Sequence, residues 1–314
     1  MMQNHLKLTE TYKPKIDANI LQNLHQSRHT YRLAIFILLY LLSLSLVGSL
    51  SLFQIEWNAF FYLPIYLLVA ASLHGISLFT HEGVHGVLSQ SPTWNRALSM
   101  LCALPVLQNY AAYRVLHLKH HTHLGQPGDP DRYKNYTQWS ILEFLMHWGR
   151  LIIGYPIYIV AIPILGLQQG SWTDRFWITI EMVLLMSGIW GILQLNVAPE
   201  ILIHGWLMPM VLINFMVNVR GMSQHTLLEE EEDLIRGTRS ILTHPIVKFF
   251  MCNENYHLEH HLYPAVPWYN LPQLHQFIEP ELRSQQAPFI PSYTSFVREF
   301  VTTSFDRLQP FSRP

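Results

Sequence analysis

The chain has 314 residues, of which 50% are hydrophobic and only 13% are charged. Soluble domains carry about 25% charged residues, so this composition argues against a water-soluble enzyme and indicates a membrane protein. The formal net charge of −1 leaves no basic excess to neutralise phosphates, which argues against a nucleic-acid partner. The only two cysteines, Cys102 and Cys252, lack C-x-x-C spacing, so neither a disulfide framework nor a thiolate cluster is expected.

The first predicted elements are a polar N-terminal segment, residues 1–32, and a helical hairpin. The segment has no apolar core followed by a small-residue cleavage site, so we do not expect a signal peptide. Residues 33–55 and 57–80 contain no charged residue, and each stretch is long enough to cross a bilayer as a helix. The turn between them lacks Lys and Arg, whereas Arg28 and Arg32 lie before the first stretch. The positive-inside rule therefore predicts that both ends of this hairpin face the cytoplasm.

Three later apolar stretches compete for the remaining spans, residues 151–167, 176–197 and 201–219. If all three crossed, the histidine-rich residues 257–261 would lie across the membrane from those at 81–121, and one metal centre could not form. The second and third stretches are joined by a tight turn without Lys or Arg, which favours a hairpin. The first stretch contains two prolines and is predicted to be interfacial or re-entrant.

These elements predict an all-α integral membrane protein with four transmembrane helices in two hairpins. Residues 81–175 and 220–314 would form a helical cap on the cytoplasmic side, and this cap would hold a histidine-rich site for two metal ions. Within this scheme the membrane domain covers residues 33–275, and residues 276–314 form a cytoplasmic tail. We expect a multi-pass protein whose histidine clusters face the cytoplasm.

Eight histidines occur in three short clusters that have the spacing of metal ligands. Offsets of three and four residues place imidazoles on one face of a helix. An H-x-x-H-H pattern is expected by chance roughly 0.06 times in a chain of this length, yet it occurs twice. The clusters are His81 and His85 in H-E-G-V-H, His117, His120 and His121 in H-L-K-H-H, and His257, His260 and His261 in H-L-E-H-H.

The number of these histidines says more about the site than their residue type does. Imidazole binds iron, copper, zinc and nickel, so spacing alone does not name the metal. Eight ligands exceed what one four-coordinate zinc ion can use, and they fit two metal ions with open positions for dioxygen. His225 is a ninth candidate, because it follows the last predicted span and would emerge at the same membrane surface.

Metal-bound histidines usually donate their second N–H to a carboxylate or carbonyl group. Five acidic residues lie close enough in sequence to be such partners, namely Glu82, Asp129, Asp131, Glu254 and Glu259. Residues 81–85 also match the zinc-protease motif H-E-x-x-H, in which two histidines bind zinc and the glutamate is the general base. That alternative leaves both H-x-x-H-H clusters without a role, so we favour the site for two metals.

Residues 60–275 resemble the membrane fatty acid desaturase superfamily, whose three boxes have the forms H-x(3,4)-H, H-x(2,3)-H-H and [HQ]-x(2,3)-H-H. The resemblance includes the order of the spans, the D-P-D sequence at 129–131 and N-Y-H-L-E-H-H-L-Y-P at 255–264. It implies two iron ions held by the eight box histidines, with His225 completing the set. It also implies dioxygen as co-substrate and two electrons from an external donor.

The sequence contains no H-P-G-G signature of the cytochrome domain that is fused to some members of this family. The resemblance therefore implies a separate ferredoxin or cytochrome as the electron donor. An acidic donor could meet basic residues of the cap, such as Lys119, Arg132, Lys134 and Arg236.

The leading hypothesis is a fatty-acyl desaturase that acts on an acyl-lipid in the membrane. The alternative is a carotenoid hydroxylase or ketolase on the same scaffold, since similar boxes occur in acyl-lipid, acyl-CoA and sphingolipid desaturases and in those enzymes. A narrow closed tunnel favours the acyl chain, and a wide cleft open to lipid favours the carotenoid. A third hypothesis is a catalytically inactive, lipid-binding or regulatory member, against which the complete ligand set argues.

Overall fold

The computed structural model describes residues 13–26, 30–55, 58–228 and 231–306. Helices dominate these residues, which confirms the predicted all-α class. The α-helices are α1 Ala18–Leu24, α2 Arg32–Leu52, α3 Ala59–Val84, α4 Pro92–Ala103, α5 Tyr110–His123, α6 Ser140–Gln169, α7 Trp172–Gln194, α8 Pro199–Leu202, α9 Met208–His225, α10 Pro245–Phe250, α11 His257–Leu262, α12 Leu271–Ser284 and α13 Tyr293–Asp306.

Shorter elements connect these helices. Two 3-10 turns cover Leu104–Val106 and Tyr133–Asn135, and a π-helical turn, Ile203–Leu207, joins α8 to α9. Strands β1 Ser240–Ile241 and β2 Phe289–Ile290 pair in parallel. The predicted segment 1–32 and the predicted tail 276–314 lie partly outside the described residues, and Arg28, Glu56 and Trp57 lie wholly outside them.

Among the described residues, five helices are long and apolar enough to cross a membrane, one more than the four predicted. They are Arg32–Leu52, Phe60–Val84, Ser140–Gln169, Trp172–Gln194 and Pro199–His225. Four of them correspond to the predicted spans. The other, α6, corrects the prediction of a short interfacial segment at residues 151–167, because it runs for 30 residues.

Helix α6 continues through its two prolines with a single break. Only Ile153 leaves the helical region, with φ −133° and ψ 15°, three residues before Pro156. A proline ring clashes with the carbonyl group one turn earlier and removes one N–H donor, which bends a helix without ending it. The prolines therefore lie within one long helix that is kinked near its middle.

Helix α3 is the central span of the molecule. In the most apolar stretch of α3, 67% of the residues are buried inside the protein. The corresponding share is 17% for α2 and 11% for both α6 and α7. The ring of Phe36 on α2 packs so closely on α3 that a Cβ atom at Gly75 would lie 2.4 Å from it. The outer helices thus expose apolar side chains to the surroundings, as lipid-facing helices do.

The cap encloses the short helix that carries the third histidine cluster. Leu258 and Leu262 of α11 pack on Leu271, Leu274 and Ile278 of α12, all of them buried. Strand β1 holds the start of α11 from the other side, because Ile241 exchanges backbone and side-chain hydrogen bonds with Asn255. These contacts fix α11 beneath the end of α3.

Candidate metal centre

Five predicted ligands form one group, in which the ligand nitrogens all lie within 4.8 Å of one another. The group contains His81, His85, His117, His121 and His260. Neighbouring Nε2 atoms are 3.1 Å apart for His85 and His117, 3.0 Å for His117 and His121, and 3.2 Å for His121 and His260. The ends of α3, α5 and α11 thus meet at one point.

A second group adjoins the first. It contains His120, His225 and His261, again with ligand nitrogens within 4.8 Å of one another. The Nε2 atom of His257 lies 3.1 Å from those of His225 and His261, so it extends this group. The rings of His121 and His261, one from each group, stack with their centroids 4.0 Å apart. The structure therefore brings all nine sequence-predicted ligands into two adjoining groups.

Most of these histidines have a lowered pKa, which favours the neutral form that binds a metal ion. Burial lowers the pKa of His85 to about 4, and the positive charge of Arg114 adds to the effect. Burial likewise holds the pKa well below its usual range for His117, His121, His257, His260 and His261. Neutral imidazoles then point several lone pairs into one small volume, which is favourable when they share a cation. The donor set therefore fits metal ions, and its division into two groups fits two of them.

Two partners orient the histidines of the second group. The Nδ1 atom of His120 lies 2.9 Å from Oδ1 of the buried Asp129, and Nδ1 of His225 lies 2.9 Å from the carbonyl oxygen of Gly237. Burial opposes charge on both His120 and Asp129. Their mutual contact nevertheless raises the pKa of His120 and lowers the pKa of Asp129. Each partner accepts a hydrogen bond from Nδ1–H and leaves Nε2 facing the group, as metal-binding histidines require.

Glu82 and Glu254 lie near the histidines at distances longer than a hydrogen bond. One oxygen of Glu254 is 3.8 Å from Nε2 of His81 and 3.8 Å from Nδ1 of His257, between the two groups. Its other oxygen pairs with Arg220, a residue that the sequence interpretation did not single out. Glu82 Oε1 is 3.9 Å from Nδ1 of His81, and its Oε2 accepts the backbone N–H of Trp268 at 3.1 Å.

The remaining two acidic candidates are placed differently. The side chain of Asp131 is 63% exposed, with Oδ2 3.8 Å from Nδ1 of His120. Glu259 is fully buried and bonds the hydroxyl of Ser240 and Nδ1 of His275, on the side of α11 away from the metal candidates. The prediction that Glu259 accepts a hydrogen bond from a candidate metal ligand is thus corrected, because its two carboxylate oxygens bond Ser240 and His275 instead.

A cavity of about 550 Å³ opens onto both groups. It is lined by His81 and His117 from the first group and by His120, His225 and His257 from the second. One wall is formed by α6, through Leu142, Leu145, Met146, Gly149, Ile153, Ile157 and Ala161 among others. Cavities of this size hold small molecules with largely apolar surfaces. An apolar substrate segment in this cavity would lie against the histidines.

The geometry also decides against the zinc-protease alternative. Glu82 would have to hold a water molecule as general base, but it is buried and receives the N–H of Trp268. His81 and His85, the two histidines of that motif, lie in a group with three others. The H-E-G-V-H sequence is therefore part of the larger histidine site.

Comparison with known proteins gives the same result. The model of the fatty acid desaturase family matches residues 57–293. The dihydrorhizobitoxine desaturase of Bradyrhizobium elkanii is 30% identical over 236 residues, which cover 65% of this chain and 64% of that protein. The sn-1 oleoyl-lipid 12-desaturase of Arthrospira platensis is 20% identical over 72% of this chain and 70% of its own length.

A third relative covers more of the chain. The sphingolipid delta(4)-desaturase of Xenopus tropicalis is 24% identical over 88% of this chain and 83% of its own length. The family model matches well over half of the chain and includes all three histidine clusters. The chain belongs to the fatty acid desaturase family, whose members are oxidoreductases.

Proposed function

We propose that this protein is a membrane di-iron oxygenase that introduces a double bond into an acyl chain of a lipid. The observation that carries the proposal is the cavity of about 550 Å³ that opens onto both histidine groups. The reaction consumes one dioxygen molecule, two electrons and two protons, converts CH2–CH2 into CH=CH, and releases two water molecules. Iron, once bound, supplies the activation of dioxygen that an unactivated C–H bond requires.

The residues of the chain bind the metals, orient their ligands and hold the substrate. Asp129 and the Gly237 carbonyl group fix the rings of His120 and His225. The apolar wall of α6 holds the chain against the histidines and excludes water from that side. Positioning is the main contribution of the protein, because one pair of adjacent carbons among many must reach the metals.

The carotenoid hydroxylase or ketolase remains the second candidate on this scaffold. The names of two reported relatives specify lipid substrates, which favours an acyl-lipid over a pigment for this chain. The donor of the two electrons would be a separate ferredoxin or cytochrome that docks on the cap, near Lys119.

We further propose that four of the five candidate spans cross the membrane and that α6 does not. If α6 crossed, α7 and the last span would be the fourth and fifth of five crossings, and His225 would emerge on the membrane side opposite His85. In the structure both ends of α6 contact the cap. The His147 ring lies 4.5 Å from that of Tyr133, and Gln169 accepts a hydrogen bond from Lys119 at 2.8 Å. The shared side would be the cytoplasm, from the positive-inside rule.

The function is tested by expressing the chain in a host of known lipid composition and analysing its fatty acids and pigments by mass spectrometry. We expect a new double bond in an acyl chain with the unchanged protein and none with His260→Ala, which removes a member of the first group. The matched control is His25→Ala, an exposed histidine of the N-terminal region. A new oxygen on a carotenoid, or undiminished product from His260→Ala, would contradict the proposal.

A further inference from the structure

Glu181 is a buried carboxylate in the middle of α7, a candidate span that contributes no histidine to either group. Only 3% of its surface is exposed. An acidic side chain inside an apolar span is costly and is retained where it has a specific partner. The partner of Glu181 is therefore of functional interest.

That partner is the first turn of α5, the helix of the second histidine cluster. The Oε2 atom of Glu181 accepts the backbone N–H of Ala111 at 2.8 Å. Asn109 makes a second link, because its Nδ2 donates to the carbonyl oxygen of Ile178 on α7 at 3.0 Å while its Oδ1 accepts the N–H of Ala112 at 2.8 Å. Two hydrogen bonds thus tie the start of α5 to α7.

Helix α6 closes the third side of this junction. A Cβ atom at Gly166 would lie 2.7 Å from Cβ of Ala112 and 3.1 Å from Cδ1 of Ile178, so three helices meet here at backbone contact. The first turn of α5 cannot move toward α6 without a clash, and it cannot move away from α7 without losing a hydrogen bond. The junction holds the axial position of α5.

A carboxylate suits this junction electrostatically. The first N–H groups of a helix have no partners within the helix, and they carry the positive end of its dipole. The guanidinium of Arg96 stacks over Trp177 on the same span, 4.4 Å from the ring centroid, and adds positive charge on this side. Glu181 therefore supplies an acceptor to an N–H group at the start of α5 that has no partner within the helix.

We propose that Glu181 is a positioning residue for the metal centre, an inference that rests on the proposed function. Helix α5 is the element whose ligands enter both groups, His117 and His121 the first and His120 the second. His117 lies six residues beyond Ala111, about 9 Å along the helix. A shift of α5 at its first turn would displace all three imidazoles together and weaken both metal positions.

The test uses the full-length, metal-free protein in lipid nanodiscs, with Co²⁺ as the probe. Visible absorption gives the number of ions bound and their affinity, and thermal unfolding of the metal-free protein is measured separately. We expect Glu181→Leu to weaken Co²⁺ binding at least tenfold, as loss of ligand support does. Glu181→Gln keeps an oxygen acceptor for Ala111 and should stay within about threefold of the unchanged protein.

The matched control is Thr179→Val on the same span, which removes only a local bond to the carbonyl group of Arg175 and should leave Co²⁺ affinity unchanged. A folded Glu181→Leu protein with normal Co²⁺ affinity would overturn the proposal, since a merely structural role changes the unfolding temperature alone.

If Glu181→Leu does not fold, the Co²⁺ affinity of Glu181→Asp is measured instead. Aspartate keeps the carboxyl group but its side chain is about 1.5 Å too short to reach Ala111, so normal affinity there also overturns the proposal. An unchanged protein that binds no Co²⁺ overturns the proposed function itself.

Discussion

Asp129 is the acidic residue that the structure joins most directly to a candidate metal ligand. It sits in the D-P-D sequence just after α5, and the backbone N–H groups of Gly125 and Asp131 hold its carboxylate in place at 3.2 and 2.9 Å. Its position is therefore set independently of His120. A preformed acceptor of this kind selects one tautomer and one ring orientation of the histidine.

We predict that Asp129→Asn weakens the second metal position and spares the first. The amide can present an N–H in place of the acceptor that His120 needs, so metal affinity should fall about 10- to 100-fold. Iron per chain, measured by elemental mass spectrometry, should drop from two toward one. The control is Asp131→Asn, whose side chain is 63% exposed and should change little. Equal iron contents in the two variants would contradict the prediction.

At the residue scale, the helical period accounts for what the sequence could predict. Histidines three and four residues apart on α11 point to one face, and the structure brings them together. Glu259 follows His257 by two residues, which places it on the opposite face of the helix. It was chosen by proximity in sequence, and the same period would have excluded it. The partners Arg220 and Gly237 come from other segments, and no local pattern reveals them.

At the element scale, the sequence interpretation gave the wrong length for α6. The first half of α6 contains Glu143, His147 and Arg150, so the uncharged run of the sequence begins only at residue 151. In the structure Arg150 lines the cavity, and His147 is buried against Tyr133. Polar groups that face the protein interior do not prevent a helix from being apolar outside. Hydropathy along the chain cannot distinguish the two faces.

We predict that both ends of α6 lie on the same side of the membrane as the cap. Single cysteines introduced by Ser140→Cys and Gln168→Cys should react with a membrane-impermeant maleimide from that side only. Leu195→Cys, in the exposed turn after α7, should react from the other side. The native cysteines do not interfere, since both are buried and burial raises the pKa of Cys102 to about 12. Labelling of the two α6 positions from opposite sides would show that α6 crosses the membrane and would contradict the prediction.

At the scale of the whole molecule, composition and hydropathy predicted the fold class and four of the five candidate spans. They did not predict which span is central or where the cavity lies, because both depend on how helices pack. The cavity is lined by residues of α3, α5, α6, α9 and α11, and no one of these elements encloses it. Substrate selection is therefore a property of the assembled helices, whereas the candidate ligands of the three histidine clusters can be identified from local spacing.

The cavity can be tested as the substrate site without touching a metal ligand. Gly149 of α6 lines it, and a Cβ atom there would meet no atom within 4 Å, so a larger side chain would project into open space. We expect Gly149→Phe to reduce double-bond formation at least tenfold at unchanged iron content, since replacing a helical glycine does not itself destabilise the fold. Gly188→Phe on α7 is the control, because its Cβ position is equally open but lies outside the cavity lining. Normal product from Gly149→Phe would show that the acyl chain reaches the metals by another path.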